Sequence, residues 1–368
     1  MINLIQALPV ALTDEIFMCW LELKDIAHLD SAVCNHNQRP SLLRSMFSPD
    51  ITYRMVELNA LMSSFSYPRF KENYCLKMFE DDPPNFDTFD VSPSEDYMKW
   101  ILQRNVPVSG VYVNVSFESN AYTRKKYLRE HGKKIRRLIL GYERDMVEFA
   151  DLKGLIRELC SLCPEVESLV CVGNVDIDDY HLMINTWPGL KDVTMSKTAD
   201  GSVLDLLSAV CVNLTTIRAN EFLDGNYDRG TERFFSTCNP GLQAIIMEDV
   251  RFSDEDFLLI FSRFKELRKL IPRCCTFTDQ ILNAMSQNCP NIEVLRIDDA
   301  DCFAAYTSNC GPNLLEIALR NVNDNFTDDV FIEMARLSPN LKRIEIVRSY
   351  SLKNESFIAL GENCHKLE

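Results

Sequence analysis

The segment Ile292-Glu-Val-Leu295-Arg-Ile297 recurs 22 residues later as Leu314-Leu-Glu-Ile317-Ala-Leu319. Both segments place apolar residues at their first, fourth and sixth positions. From residue 166 onward, copies of this pattern follow one another at intervals of 22 to 28 residues. The other copies are Val108–Val111–Val113, Ile135–Leu138–Leu140, Val166–Leu169–Cys171, Leu190–Val193–Met195, Leu214–Ile217–Ala219, Leu242–Ile245–Met247, Leu267–Leu270–Pro272 and Leu341–Ile344–Ile346.

A repeat of roughly 20–29 residues with this spacing is typical of the leucine-rich-repeat solenoid. Each copy predicts one short strand whose apolar side chains point into the core, and the residues between copies predict a helix. The sequence therefore predicts an α/β fold of about ten repeats. Its parallel strands would line the concave side of a horseshoe, with the helices on the convex side.

Hydroxyl residues followed by acids mark the beginnings of several of these helices. Ser253, Thr278 and Thr327 each precede Asp or Glu residues. A hydroxyl can accept a hydrogen bond from a free backbone N–H of the first turn, and acids there interact favourably with the helix dipole. We expect these three residues to cap the helices that follow them.

The rest of the chain divides by composition into two further parts. Residues 1–48 lack the repeat and carry apolar residues at helical spacing, which predicts a small all-α motif. Residues 49–92 form a transition segment that contains the acidic, proline-containing stretch Glu80–Asp90. This stretch fits either a solvated surface loop or a docking site for a basic partner. The solenoid is predicted to occupy residues 93–368.

The overall charge limits the classes of partner. The formal net charge is −15 at pH 7. Binding to nucleic acid or to an anionic membrane requires a cationic field, so we expect neither partner. No apolar run approaches the 18 residues of a membrane-spanning helix, and the N-terminal stretch lacks the cationic start of a secretory signal.

Cysteines recur at one position of the repeat. Of the 14 cysteines, six lie three or four residues before the first apolar residue of a copy. A small buried apolar residue suits such a position, and no matching His/Cys pair completes a zinc site at Cys160 and Cys163. We therefore predict free thiols, no metal, and a reducing compartment, the cytosol or the nucleus. The six are Cys163, Cys211, Cys238, Cys289, Cys310 and Cys364.

The predicted concave face carries basic residues between the apolar positions. Arginine suits the recognition of carboxylate or phosphate, so these residues are candidates for binding an acidic or phosphorylated target segment. Glutamates and aspartates are interspersed with them, and a mixed solvated face is the alternative. The candidate substrate-binding residues are Arg218, Arg268, Lys269, Arg273, Arg296, Arg320, Lys342, Arg343 and Arg348.

A second basic cluster covers residues 124–137. It fits a nuclear localisation signal or an anion-binding patch. It also fits the ordinary solvated surface of a convex helix and of the strand that follows it.

Catalytic motifs are missing from the sequence. The five histidines have no recurrent carboxylate or cysteine partners, and neither a phosphate-binding loop nor a nucleophile-elbow motif is present. We expect no catalytic residues, no cofactor and no enzymatic activity in this chain.

The N-terminus resembles the F-box motif. The resemblance rests on Leu8-Pro9-x-x-Leu12, Ile16-Phe17, Trp20-Leu21, Asp25-Ile26, Leu29 and Ala32-Val33-Cys34-Asn35. The motif is degenerate, because Asn35–Pro40 replaces the basic and aromatic residues at its usual end. The repeats resemble the cysteine-containing leucine-rich class, in which Cys-Pro-x-Leu precedes the strand, as in Cys163–Val166 and Cys289–Ile292.

This resemblance implies the substrate-recognition subunit of an SCF-type ubiquitin ligase. The N-terminal motif would bind a Skp-family adaptor, which links to a cullin scaffold, and the solenoid would bind the target protein. The implied adaptor-binding residues are Leu8, Pro9, Leu12, Ile16, Phe17, Leu21, Ile26, Leu29 and Val33. The alternative is a scaffold or ligand-binding protein outside any ligase, in which residues 1–48 only cap the solenoid.

Overall fold

The computed structural model describes residues 56–57, 110–114, 121–141, 149–171, 175–195, 199–219, 227–247, 252–272, 278–298, 311–320, 327–347 and 352–367. The chain divides into two compact units, Met1–Gly173 and Asn174–Glu368. Each unit consists of parallel strands that alternate with helices along the chain.

In the first unit, each strand pairs in parallel with the next strand in the sequence. Leu138 of the third strand lies between Val111 and Leu169 of its neighbours. The first strand lies within residues 49–92 and pairs with the second through Val56 and Val111. The elements are β1 (Val56–Glu57), β2 (Gly110–Asn114), α1 (Ala121–His131), a 3₁₀ turn (Gly132–Lys134), β3 (Arg137–Gly141), α2 (Phe149–Leu162) and β4 (Ser168–Cys171).

The second unit continues the same alternation, again with each strand beside the next one in the sequence. Its elements are α3 (Ile177–Thr186), β5 (Asp192–Met195), α4 (Gly201–Val210), β6 (Thr216–Ala219), α5 (Tyr227–Thr237), β7 (Ala244–Met247), α6 (Asp254–Arg263), β8 (Lys269–Pro272), α7 (Asp279–Asn288), β9 (Val294–Asp298), β10 (Glu316–Arg320), α8 (Asp328–Leu337), β11 (Arg343–Val347) and α9 (Asn354–Asn363).

The apolar residues of the repeat form the core of both units. Leu295 and Ile297 of β9 are buried, as are Ile317 and Leu319 of β10. Burying a side chain of this kind stabilises the folded state by about 1.5–3 kcal/mol. The structure confirms the predicted α/β leucine-rich-repeat solenoid, in which most of the described repeats supply one strand and one helix.

The recurrent cysteines lie where the helices end. Cys211, Cys289 and Cys364 each follow the last residue of a helix and are buried as free thiols. The Cys364 Sγ donates to the carbonyl oxygens of Ala335 and Ser338, both at 3.4 Å. Such a thiol fills a small apolar space and donates a weak hydrogen bond to carbonyl oxygens at the end of the previous helix, which also accept from the backbone N–H groups of Ser338 and Leu341. Cys163 and Cys238 are buried free thiols too, and Cys310 lies outside the described residues.

Two of the three predicted helix caps form. The Ser253 side chain accepts from the Asp256 N–H, and the Asp256 carboxylate accepts from the Ser253 N–H, which completes a capping box. The Thr278 hydroxyl accepts from the Ile281 N–H at 3.4 Å. The prediction for Thr327 was wrong, because Thr327 precedes α8 but its side chain makes no capping hydrogen bond.

Candidate functional site

In the second unit, the strands present one face to the helices and the opposite face away from them. We call the latter the strand face, since alternate residues of each strand point to it. The strand register aligns its residues in two rows. The first row contains Asp192, Thr216, Ala244, Lys269, Val294, Glu316 and Arg343, and the second contains Thr194, Arg218, Ile246, Ile271, Arg296, Ala318 and Glu345.

The centre of the strand face is apolar. Ile246 of β7 and Ile271 of β8 are 2% and 4% exposed. The charged residues of this face are concentrated on β9, β10 and β11 and on the residues just before β8, β9 and β11. The candidate site is therefore a charged area beside an apolar centre.

Two exposed ion pairs join neighbouring repeats in the charged area. Arg268 Nη1 lies 2.7 Å from Glu293 Oε1, and Arg343 Nη1 lies 3.3 Å from Glu316 Oε2. Both arginine side chains remain about half exposed, at 52% and 51%. An exposed ion pair contributes only about 0–1 kcal/mol, because water screens the two charges. An incoming carboxylate or phosphate can therefore compete for either guanidinium at small cost.

A third pair crosses an intervening strand. Arg296 Nη2 of β9 lies 3.9 Å from Glu345 Oε2 of β11, and Ala318 of β10 lies between them in the register. Neighbouring strands are about 4.8 Å apart, so the arginine side chain spans two strand spacings. The methyl group of Ala318 is small enough to lie beneath it. The Arg296 side chain is only 6% exposed, which leaves little of its charge available to a ligand.

The other predicted substrate-binding residues are distributed as follows. Arg218 lies outside the charged area, on β6, where its Nη1 is 3.7 Å from Asp192 Oδ1. Lys269 begins β8, and Lys342 is exposed just before β11. Arg320 ends β10, and its side chain lies outside the description, as do Arg273 and Arg348.

The sequence analysis missed two features of this face. It did not identify Asp192 as the neighbour of Arg218, nor Ala318 as the residue that lets Arg296 reach β11. Aligning the repeats residue by residue reveals both, since the strand register follows the repeat without a shift.

The implied adaptor-binding residues lie outside the described residues, so their role stays a prediction. They are Leu8, Pro9, Leu12, Ile16, Phe17, Leu21, Ile26, Leu29 and Val33.

One serine–histidine–aspartate group lies on the helical side of the second unit. The Ser202 hydroxyl donates to Asp200 Oδ1 at 2.6 Å and lies 3.3 Å from His181 Nε2. In a catalytic triad the aspartate holds the histidine, whereas Asp200 here binds the serine and caps α4. This group is therefore explained by helix capping.

Metal-binding and membrane-spanning elements were sought in the part of the chain that the structure describes. Within those ranges, no three His, Cys, Asp or Glu side chains cluster in a way that could hold a metal ion. In the same ranges, no helix combines the length and the apolar character that crossing a bilayer requires.

No protein-family model and no curated protein sequence matches the chain. Among solved structures, the chain is similar to a chain in the crystal structure of the Rad7 and Elc1 complex from yeast, at 16% identity and a TM-score of 0.52. That similarity covers 73% of this chain and 77% of the other, and it shows a shared fold. A TLR13 chain, in a crystal structure of the TLR13–ssRNA13 complex, matches 72% of this chain at 11% identity, with 41% of its own length covered and a TM-score of 0.41. The fold assignment does not depend on this second similarity.

Proposed function

We propose that the chain is the substrate-recognition subunit of an SCF-type ubiquitin ligase. Residues 1–48 bind a Skp-family adaptor, through which the chain joins a cullin scaffold, and the solenoid binds the protein to be modified. The observation that carries the proposal is the order of the two parts, an F-box-like motif followed by a leucine-rich-repeat solenoid. The chain itself performs no catalysis and acts in the cytosol or the nucleus.

The fold supports the recognition half of this proposal. A solenoid of parallel strands offers an extended surface, and proteins of this architecture use such surfaces for binding. The fold-level similarity to a chain from the Rad7 and Elc1 complex supports an adaptor-type partner for this chain as well.

The charges of the strand face define the class of target. Arg268, Arg343 and Lys342 are exposed, and the two arginines are held by carboxylates of adjacent repeats. A guanidinium that is held in place can donate two parallel hydrogen bonds to a phosphate or a carboxylate. The target segment is therefore acidic or phosphorylated.

The adaptor half is tested by pull-down of a purified Skp-family adaptor with the full chain. Replacing both Ile16 and Phe17 with alanine removes two apolar anchors, each of which contributes about 2–4 kcal/mol at the centre of an interface. We expect this variant to lose the adaptor. The matched control is the double variant Phe357→Ala/Ile358→Ala, which removes two exposed apolar side chains from α9 and should keep it. Undiminished pull-down by the first variant would refute the proposed adaptor site.

The target half is tested with a phosphorylated peptide and its unphosphorylated counterpart. We expect the phosphorylated peptide to bind more tightly, and the variant Arg268→Glu/Arg343→Glu to lose that preference. The charge-matched control is Arg336→Glu/Lys366→Glu, which changes two cations on the helical side of the same unit. Equal preference in all three proteins would show that the strand face does not select phosphate.

A further inference from the structure

A group of exposed cations lies on α1 and on the 3₁₀ turn that follows it. We call this group the α1 basic surface. It belongs to the first unit, whereas the strand face belongs to the second. Its presence in a chain with a formal net charge of −15 requires an explanation. The members are Lys125, Lys126, Arg129, Lys133 and Lys134, all of them exposed.

The backbone beneath these cations is folded and fixed. On the opposite side of α1, Tyr127 and Leu128 are buried in the core. Arg136 donates from Nη1 to the Lys133 carbonyl oxygen at 3.0 Å and forms an ion pair with Glu165, which holds the 3₁₀ turn. A nuclear localisation signal is recognised as an extended peptide, so this use of residues 124–137 would require the core around Tyr127 to open. The helical structure favours an anion-binding surface instead.

The charges on this surface are poorly compensated. Among the described residues, the only carboxylate that forms an ion pair with these cations is that of Glu158, which lies 3.6 Å from Lys125 Nζ. Glu130 is the one acid exposed on α1 itself. Lys126 and Arg129 are three positions apart on the helix, and like charges at this spacing repel each other. Lys125 and Lys126 both lie before the last turn of α1. They therefore lack the favourable interaction with the helix dipole that a cation in the last turn would have.

The surface also has a shape that can receive an acidic side chain. Lys125, Lys126, Arg129 and Glu130 are the described residues that line a depression of about 200 Å³ beside α1. A carboxylate that enters this depression meets three cations and one acid. Binding would relieve the repulsion between the cations, because the incoming charge lies between them.

We propose that the α1 basic surface binds an acidic polypeptide segment of a protein partner. Lysines act as point charges without a required geometry, which suits a cluster of aspartates and glutamates. A nucleic acid is disfavoured, since a duplex extends beyond the screening length of about 8 Å and would meet the negative charge of the rest of the chain. A short acidic peptide lies entirely within the local positive field.

The test measures binding of a labelled peptide of alternating glutamate and aspartate to the full chain by fluorescence anisotropy, at low and at high salt. Because the strand face is itself proposed to bind acidic segments, the strand-face variant Arg268→Glu/Arg343→Glu is the reference protein. It is compared with the wild type and with two variants that add either Lys126→Glu/Arg129→Glu or the neutral change Lys126→Gln/Arg129→Gln to it. The altered cations are exposed, so circular dichroism should show unchanged folding in each. The strand-face variant separates this proposal from the proposed function, because it leaves the first unit untouched.

Relative to the reference protein, we expect the added charge reversal to weaken peptide binding about tenfold or more, and the added neutral change to weaken it by less. High salt should weaken binding to the wild type and to the reference protein, and any difference between these two measures the contribution of the strand face alone. Three results would overturn the proposal. One is equal binding by the reference protein with and without the added charge reversal. The second is no binding by the reference protein at low salt, and the third is tighter binding of a short DNA duplex that the added charge reversal abolishes.

Discussion

The packing of α5 against α4 depends on a glycine. A Cβ atom placed on Gly230 of α5 would lie 2.4 Å from the Cα of Gly201 and 3.3 Å from its carbonyl oxygen. Carbon atoms in contact are normally about 3.5–4.0 Å apart, and the atoms that would be struck belong to backbone. The substitution Gly230→Ala therefore forces the two helices apart.

Two effects oppose each other in this variant. Alanine favours a helix interior over glycine by about 1 kcal/mol. Overpacking of a tightly packed site costs about 1–3 kcal/mol, and an overlap with rigid backbone lies toward the upper end of that range. We expect Gly230→Ala to lower the free energy of unfolding by about 1–2 kcal/mol.

The matched control is the same substitution in α9 of the same unit. Among the described residues, and apart from the backbone of α9 itself, no atom lies within 4 Å of a Cβ placed on Gly361, so Gly361→Ala gains helix propensity without a clash. It should raise the free energy of unfolding by about 0.5–1 kcal/mol. Urea denaturation followed by circular dichroism measures both variants against the wild type. If both variants stabilise the protein to the same extent, the close approach of α4 and α5 is wrong.

Three further predictions concern buried polar groups. Burial lowers the pKa of His131; the charge of Lys134 lowers it further, and the charge of Glu130 opposes the shift. As the pH falls below about 6.5, the histidine of the unfolded state is therefore protonated before that of the folded state. Stability should therefore fall between neutral pH and pH 5.5, and less so in His131→Phe, as measured by urea denaturation. Burial raises the pKa of four helix-end thiols to about 12; they are Cys163, Cys211, Cys238 and Cys289. A thiol reagent at pH 8 should therefore modify these thiols only after the protein unfolds. Disulfides among the four would contradict this prediction. Ser338 directly follows α8, which is the position that Cys364 occupies after α9. The Ser338 hydroxyl is buried and has no hydrogen-bond partner among the described residues. Ser338→Cys should raise the free energy of unfolding by about 1 kcal/mol, and a loss of stability would refute that explanation of the cysteine positions.

The fold could be predicted because its determinants are local and repeated. Leu295 and Ile297 lie in the same sequence pattern as Ile317 and Leu319, and each pattern specifies one buried strand. The repeat also sets the position directly after each helix, so the burial of Cys211 could be expected from its place in the repeat alone.

The pairing of charges on the strand face could not be predicted in the same way. The sequence shows which residues point to that face, but the pair formed by Arg296 and Glu345 depends on a small residue in the strand between them. Arginine is long enough to reach several carboxylates, and the local packing selects one. The prediction of a cap at Thr327 was wrong for a related reason. A threonine at a helix start can accept the capping hydrogen bond, but its presence in the sequence does not determine whether the bond forms.

The proposed function requires this chain to bind a Skp-family adaptor through residues 1–48. The most direct measurement is light scattering during size-exclusion chromatography of the full chain mixed with a purified Skp-family adaptor. We expect a complex of one chain and one adaptor that survives the column, with a mass equal to 42.4 kDa plus that of the adaptor. The proposed adaptor binding would be refuted if the two proteins eluted as separate species at protein concentrations well above the dissociation constants typical of such interfaces.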